Sequence, residues 1–424
     1  MKKSLLFLSL ALFGGNTLNA QCNNGRFASN VFPTVTVTSN VQYGSNTSYS
    51  GSTTNLTMDI YEPTGDTATV RPLIIWTHGG SFIGGTKTDA DMVAFSNDFA
   101  QKGYVCVSIN YRLGFFPIDS ANAVKAVIRA VQDLKATVRY FKKDFATTNT
   151  YNIDTNNIFI GGSSAGAITA LHVAYLKDEC EIVPYVGQTN LNNLGGLTGN
   201  SGNPGYSSSV KGVINLCGAL AKYHWIEAGD VPFVSIHGTA DNTVKYNRGI
   251  VNPGVPLLYL DGSRMLYERA VQVGVENPFY TFAGAGHVPH SGSAAYEDTT
   301  INVIRDFLID QLGCTDPQLQ PVNSPLQTAN LYPFTACTAS IIESKDLSFE
   351  LFPNPNNGTM QIQLPENTSE FTYTITSING KIIQSETISS NQLKLDLKLS
   401  NGIYLINIQT STGETGLARI SIQN

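Results

Sequence analysis

A serine in a glycine-framed turn is the residue of this chain best placed to act as a nucleophile. The stretch Gly162-Ser-Ser-Ala-Gly166 follows the pattern G-x-S-x-G, with Ser164 at its centre. Residues 158–160 before it are typical of a short apolar strand, and residues 167–176 after it are typical of a buried helix. A strand, a tight turn with serine at its tip and a helix together expose a hydroxyl for covalent catalysis. In a chain with 38 glycines the bare pattern also arises by chance, so the prediction depends on these flanking elements and on suitable partners.

A nucleophilic serine needs a base and an acid that orients the base, each on a loop that follows a strand. Asp241 comes shortly after the apolar strand pattern of residues 231–236. An aspartate beside an asparagine is also common in plain turns. Asp230 precedes the same strand and is expected at the opposite edge of the sheet, and Asp261 is the alternative acid. We therefore predict Asp241 as the acid.

His287 is the predicted base because it follows Gly286 at the exit of the strand predicted at 278–283. The resulting chain order of serine, acid and histidine is the order expected of this architecture. His290, three residues further on, is the alternative base. We expect two of the other histidines to support loops, a third to lie in the core or on the surface, and the fourth to precede the acid in the chain; they are His78, His237, His172 and His224.

A second glycine-rich loop follows a strand that is apolar throughout. Residues 73–77 form this strand, and His78-Gly-Gly-Ser-Phe-Ile-Gly-Gly85 follows it. Backbone N–H groups in such a loop can point into a site and stabilise an oxyanion. A plain turn is the alternative interpretation when the loop is considered alone.

Apolar runs of strand length alternate with helical patterns, which predicts an α/β fold with a mostly parallel central sheet and helices on both faces. In the longest predicted helix, at 123–143, the basic residues are expected to form a solvated face, although Asp133 and Arg139 could orient neighbouring loops. The stretch 178–209 is rich in Asn, Gly and Ser and is predicted to be a surface excursion near the site. Strands are predicted at 31–41, 56–63, 73–77, 104–110, 158–160, 210–216, 231–236 and 278–283, and helices at 89–102, 123–143, 167–176, 264–273 and 299–312.

Composition and the N-terminus indicate an exported chain. Residues 1–20 combine Lys2 and Lys3 with a short apolar run and a small-residue cleavage site, which predicts a signal peptide. A lipid anchor at Cys22 is the alternative. We expect no other membrane-spanning segment, no nucleic-acid partner in a chain of net charge −6 without a basic stripe, and no metal or organic cofactor. Six cysteines in an exported protein allow 15 pairings in three disulfides, and the sequence does not choose among them.

Residues 56–312 resemble an α/β-hydrolase of the carboxylesterase/lipase group. The matching motifs are His78-Gly-Gly-Ser-Phe, Asn110-Tyr-Arg-Leu-Gly, Gly162-Ser-Ser-Ala-Gly, His237-Gly-Thr-Ala-Asp and Gly286-His287, and the second and third are especially similar to type B carboxylesterases. The resemblance implies oxyanion donors at the N–H groups of Gly80, Ser81 and Ala165. The family usually has a third glycine where this chain has Ser81. The domain is also far shorter than a full type B carboxylesterase, which implies a site open to bulky or polymeric substrates.

The character of the sequence changes after residue 312. Residues 313–346 are predicted to be a linker or docking strap that Cys314 and Cys337 could staple, and 347–424 a small all-β sandwich. A carbohydrate-binding module is one interpretation of the sandwich. The motifs Leu351-Phe-Pro-Asn-Pro, Ile378-Asn-Gly-Lys and Asn401-Gly-Ile-Tyr404 instead resemble the C-terminal sorting domain of type IX secretion in Bacteroidetes.

The sequence thus predicts a secreted serine hydrolase of carboxylic esters, with a catalytic domain at 21–312. Its expected partners are an ester substrate and the type IX secretion machinery, and its expected location is extracellular or on the outer-membrane surface. A serine peptidase of the same fold and a catalytically inactive binding protein are the alternatives. Aryl, feruloyl, acetyl-sugar and polyester substrates all remain open.

Overall fold

The computed structural model describes residues 22–314, 325–329, 331–335, 347–366, 368–377, 382–411 and 414–423. The predicted signal peptide and most of the predicted linker lie outside these residues. The chain divides into two compact units, 1–337 and 338–424, so the division falls within the predicted linker. The predicted domain boundaries themselves stay predictions.

Within the described residues of the first unit, eight strands form one sheet in the order β1-β2-β4-β3-β5-β6-β8-β11. The strands from β4 to β11 in this order pair in parallel, and β2 pairs antiparallel with both β1 and β4. The mostly parallel sheet predicted from the sequence is therefore confirmed. Its strands are β1 (Val35–Thr47), β2 (Thr53–Pro63), β3 (Arg71–Thr77), β4 (Val105–Ile109), β5 (Ile153–Ser163), β6 (Gly212–Leu216), β8 (Phe233–Gly238) and β11 (Phe279–Phe282).

Helices cover both faces of this sheet, as predicted. Because successive strand side chains point to opposite faces, Leu73 and Ile75 of β3 join one apolar core, and Ile74 and Trp76 join the other. Helices α2, α3 and α6 pack on the first face, and α1 and α7 pack on the second. The helices are α1 (Ala90–Gln101), α2 (Ser120–Thr147), α3 (Ala165–Tyr175), α4 (Glu179–Val186), α5 (Gln188–Leu194), α6 (Ser263–Val273) and α7 (Ala294–Gln311).

A small antiparallel sheet stands apart from the main one. It has the order β7-β10-β9, with β7 (Ala219–Leu220), β9 (Arg248–Ile250) and β10 (Tyr259–Gly262). The sequence analysis did not predict these strands, which contain only two to four residues each. Strands this short carry too few residues for a hydrophobic period to show.

The excursion predicted at 178–209 contains two helices, α4 and α5, that the analysis missed. The Glu181 carboxylate accepts hydrogen bonds from the backbone N–H groups of Lys177 and Asp178, at 3.0 and 3.2 Å. An acidic residue three positions after Asp178 is a capping pattern at the start of a helix, so a local signal was present.

The prediction of a solvated basic face on α2 is wrong for two of its arginines, because Arg129 and Arg139 are buried. Arg139 donates hydrogen bonds to the carbonyl oxygens of Thr198 and Gly202, at 3.2 and 3.1 Å. Asp133 accepts from the backbone N–H of Arg112 at 2.8 Å and from Ser201 Oγ at 2.5 Å. Asp133 and Arg139 therefore hold neighbouring loops, as the analysis suggested for these two residues.

The second unit is the small β-sandwich that the sequence predicted. One sheet has the order β12-β13-β16 and the other β15-β14-β17-β18. Inward residues of both sheets, such as Ile362 and Ile408, share one apolar core. The strands are β12 (Glu350–Phe352), β13 (Thr359–Gln363), β14 (Phe371–Ser377), β15 (Ile382–Ile388), β16 (Gln392–Asp396), β17 (Gly402–Thr410) and β18 (Thr415–Ile422). In the described part of the chain, no helix has the length and apolar character needed to cross a membrane.

A disulfide joins Cys22 to Cys314, with their Cα atoms 5.7 Å apart. The staple suggested between Cys314 and Cys337 is therefore wrong, because Cys314 has another partner. Cys180 is also disulfide-bonded, whereas Cys106 and Cys217 are buried free thiols. The bond closes a loop of 292 residues and ties the N-terminal segment to the end of α7.

We predict that replacing both Cys22 and Cys314 with serine lowers the free energy of unfolding by about 2–4 kcal/mol, because the unfolded chain gains freedom. Trp76 and Trp225, the two tryptophans of the chain, both lie in the first unit. Urea unfolding followed by tryptophan fluorescence therefore reports on that unit. Coincident transitions for the variant and the wild type would contradict the prediction.

Candidate active site

Ser164 lies at the tip of the turn between β5 and α3. Its backbone has φ 55° and ψ −115°, a conformation that L-residues rarely adopt and that functional sites often retain. The Ser164 N–H donates to the Leu216 carbonyl oxygen at 2.9 Å. A Cβ atom on either Gly162 or Gly166 would collide with the carbonyl oxygen of Thr77 at the end of β3. Both glycines are thus required for the turn to pack against the neighbouring strand.

The structure brings Ser164, His287 and Asp241 together. Ser164 Oγ lies 2.8 Å from His287 Nε2, and His287 Nδ1 lies 2.6 Å from Asp241 Oδ2. Asp241 follows β8 and His287 follows β11, and these strands are neighbours in the sheet. The three side chains form one hydrogen-bonded chain at the carboxyl ends of parallel strands.

The Asp241 carboxylate is buried, and both of its oxygens accept hydrogen bonds. Its Oδ1 accepts from the backbone N–H groups of Thr243 and Val244, at 2.8 and 2.9 Å. Burial opposes ionisation, but hydrogen bonds from His237 and His287 outweigh it and lower the pKa of Asp241 well below its usual range. Asp241 is therefore ionised at neutral pH and favours the His287 tautomer with its proton on Nδ1.

His237 contacts the Asp241 carboxylate, in line with the supporting role predicted for this histidine. His237 Nε2 lies 3.2 Å from Asp241 Oδ2 and 3.0 Å from the Val244 carbonyl oxygen. Its Nδ1 lies 2.8 Å from Ser263 Oγ. The Asp241 carboxylate thus contacts two imidazoles, and of these only His287 reaches Ser164 in the described structure.

The alternative residues lie in other networks. His290 is buried, and its Nε2 lies 3.3 Å from Oγ of the neighbouring Ser163 and 3.5 Å from Asp91 Oδ2.

The two alternative acids also have other partners. Asp261 accepts from Arg248 Nη1 at 2.8 Å. Asp230 Oδ1 pairs with Lys177 Nζ at 2.9 Å. The geometry favours His287 and Asp241 over these alternatives.

The loop after β3 has an unusual backbone. Gly80, Ser81 and Phe82 have φ values of 97°, 56° and 62°. Tyr111 fixes the loop because its hydroxyl donates to the carbonyl oxygens of His78 and Gly79, at 3.1 and 3.2 Å. Ser81 thus adopts a left-handed conformation that glycine adopts more readily, so the departure from the family's third glycine is accommodated at the cost of local strain.

The predicted oxyanion donors lie beside Ser164. Gly80 and Ser81 line a groove beside Ser164, and Ser81 and Ala165 line a pocket beside it. Among the described residues, no acceptor takes the backbone N–H of Gly80, Ser81 or Ala165. The three groups are therefore available to a bound ligand.

Comparison with known proteins places these elements in two families. Residues 58–251 match the family model described as BD-FAE, and residues 350–423 match the secretion system C-terminal sorting domain. The chain therefore contains an α/β-hydrolase domain and a C-terminal secretion sorting domain. The sorting-domain match indicates export by type IX secretion to the exterior or the outer-membrane surface.

The curated relatives match a limited stretch of the hydrolase. Carboxylesterase 3B of Mus musculus is 34% identical over 115 residues, which are 27% of this chain and 19% of that protein. Gut esterase 1 of Caenorhabditis briggsae is 30% identical over 124 residues, 28% of this chain and 21% of that protein. The chain thus spans about a fifth of these relatives. The solved apo form of Thermogutta terrifontis esterase 2 is 20% identical with a TM-score of 0.49, covering 68% of this chain and 98% of that one.

Two cavities of contrasting character meet at Ser164 of the hydrolase. One is an apolar pocket between α2, α3, α4 and the small sheet. The other is an open polar groove bordered by Asp89, Asp91, Asn252 and His287. The sequence did not reveal the pocket, because its walls come from segments far apart in the chain. Pocket-lining residues include Phe82, Val127, Ile168, Ile182, Tyr185 and Leu260.

Cys217 is a residue near the site that the sequence analysis missed. Its Sγ, an oxygen of Asp241 and a ring nitrogen of His287 lie within 4.8 Å of one another, a spacing that metal ligands can have. Burial, together with the charge of Asp241, raises the pKa of Cys217 to about 12. The residue is therefore a neutral thiol at pH 7, and its Sγ lies 3.8 Å from the Ile236 carbonyl oxygen.

The depressed pKa of Asp241 predicts a pH dependence of stability. A carboxylate with a lowered pKa in the folded state stabilises the fold above its unfolded pKa, and that stabilisation is lost as the pH falls through the folded value. We expect the free energy of unfolding of the wild type to fall more steeply between about pH 5 and about pH 3 than that of Asp241→Asn. Urea unfolding across this range measures both, and parallel curves would contradict the prediction.

Proposed function

We propose that the chain is a secreted serine hydrolase that cleaves carboxylic esters through an acyl-enzyme. The observation that carries this proposal is the hydrogen-bonded chain from Ser164 Oγ through His287 to Asp241, with distances of 2.8 and 2.6 Å. Nucleophilic catalysis by serine requires these contacts between nucleophile, base and orienting acid. The esterase names of the curated relatives agree with this reaction class.

The proposed reaction has two halves. Ser164 Oγ attacks the ester carbonyl while His287 Nε2 takes its proton, and Asp241 stabilises the imidazolium. The N–H groups of Gly80, Ser81 and Ala165 donate to the oxyanion, each such donor typically contributing about 3–4 kcal/mol. His287 then protonates the alcohol oxygen as the carbon–oxygen bond breaks. In the second half water attacks the acyl-enzyme, with His287 again as base, and releases the acid and Ser164.

The two cavities allow the halves of the substrate to be assigned. The leaving alcohol must lie near His287 Nε2, which supplies its proton. His287 lines the polar groove and is not among the described residues of the apolar pocket. We infer that the groove takes the alcohol and the pocket takes the acyl chain. An apolar acyl group esterified to a polar, non-anionic alcohol fits this arrangement, since Asp89 and Asp91 border the groove.

Replacing Ser164 with alanine should abolish ester turnover, with kcat falling by roughly 10⁴-fold or more. Ser163→Ala is the matched control, because Ser163 is adjacent in the chain but its Oγ lies near His290 rather than His287. Initial rates on p-nitrophenyl butyrate measure both variants. Substantial turnover by Ser164→Ala would exclude the assignment of the nucleophile.

The same assay separates the alternatives. Cleavage of a peptide anilide with weak ester turnover would favour a serine peptidase. No turnover of either substrate, together with no reaction with an organophosphonate probe, would favour a catalytically inactive binding protein.

A larger side chain in the pocket should shorten the preferred acyl chain. Val127 lines the pocket from α2 and is only partly buried, so Val127→Phe can extend into the cavity without disrupting the core. We expect this variant to lower kcat/KM for p-nitrophenyl decanoate roughly tenfold relative to acetate. Asn252→Ala, in the groove, is the control and should leave this ratio unchanged. A shift of the ratio in the groove variant alone would reverse the assignment of the two cavities.

A further inference from the structure

A segment predicted to be part of the linker is fastened to the hydrolase unit. It comprises residues 325–329 and 331–335, which we call the strap. Asn247 Nδ2 donates to Gln327 Oε1 at 3.0 Å, and Arg264 Nε donates to the Gln327 carbonyl oxygen at 2.8 Å. At the other end, the Phe334 ring stacks on the His224 ring, with centroids 4.2 Å apart and planes at 3°.

Tyr332 forms the most specific contact of the strap. Its hydroxyl donates to Asp261 Oδ2 at 2.6 Å, and this carboxylate is fully buried. The backbone N–H of Tyr223 and Arg248 Nη1 also donate to Asp261, each at 2.8 Å. The Arg248 guanidinium carbon lies 4.2 Å from the centre of the Tyr332 ring. A buried carboxylate needs such donors, and Tyr332 supplies one of them.

The small sheet lies between the strap and the apolar pocket. Asp261 and Leu260 are neighbours on β10, so their side chains point to opposite faces. Leu260 lines the pocket, as do Val251 after β9 and Ala221 after β7. Asp261, on the opposite face, contacts the strap. The contact made by Tyr332 therefore supports the element that forms one wall of the pocket.

We propose that the strap braces the small sheet and that Tyr332 is a positioning residue for the pocket wall that this sheet forms. The effect on acyl preference rests on the proposed function. The bracing of the small sheet by the strap is independent of it.

The test compares Tyr332→Ala and Tyr332→Phe in the full chain with Leu326→Ala, a strap variant whose side chain is exposed. Hydrogen exchange at residues 248–251 and 259–262 reports on the small sheet. The ratio of kcat/KM for p-nitrophenyl decanoate to that for acetate reports on the pocket. We expect Tyr332→Ala to accelerate exchange and to lower the ratio roughly tenfold. Tyr332→Phe should be intermediate and Leu326→Ala should match the wild type.

Each readout overturns a different part of the proposal. Unchanged exchange in Tyr332→Ala would exclude bracing, and faster exchange with an unchanged ratio would exclude the pocket role. Absence of ester turnover by the wild type would defeat the proposed function while the exchange result still decides the bracing.

Discussion

The close approach of the β5–α3 turn to the end of β3 is the constraint on which the site depends. Gly162 and Gly166 both face the Thr77 carbonyl oxygen, and neither position has room for a Cβ atom. This contact places Ser164 directly beside the loop that begins at His78. Ser164, the proposed nucleophile, and its proposed oxyanion donors are therefore positioned by backbone packing, which any larger residue at either glycine would disturb.

The parallel sheet then supplies the remaining groups. Because β8 and β11 are adjacent and parallel, the loops that follow them meet at one edge, where Asp241 and His287 pair. The surroundings of Asp241 strengthen this pairing. Its carboxylate is buried, accepts hydrogen bonds from two backbone N–H groups and contacts two histidines. The negative charge beside His287 is thus fixed before any substrate binds, as the proposed mechanism requires.

Sequence reasoning succeeded where a local pattern determines the structure. The apolar strands, the helices and the G-x-S-x-G turn each depend on residues close together in the chain, and these features gave both the fold and the three candidate residues. The choice between His287 and His290 rested on one neighbouring glycine and required geometry for support. The pairing of Cys314 with Cys22 and the contact of Tyr332 with Asp261 join distant parts of the chain, so no local pattern predicts them. The pocket escaped prediction for the same reason.

The buried arginines of α2 show that helical spacing alone does not predict which polar side chains are buried. Arg129 and Arg139 follow a spacing that suggests a solvated face, yet both are buried and hold loops. A helical period identifies an apolar face, but it does not show whether a loop covers the polar one.

Trapping the covalent intermediate tests the proposed mechanism most directly. The full chain would be treated with a fluorophosphonate and digested, and the modified residue would be located by mass spectrometry, with Ser164→Ala and Ser163→Ala alongside. We expect modification at Ser164 in the wild type and in Ser163→Ala, and none in Ser164→Ala. Modification at another residue, or none in a wild type that hydrolyses esters, would contradict it.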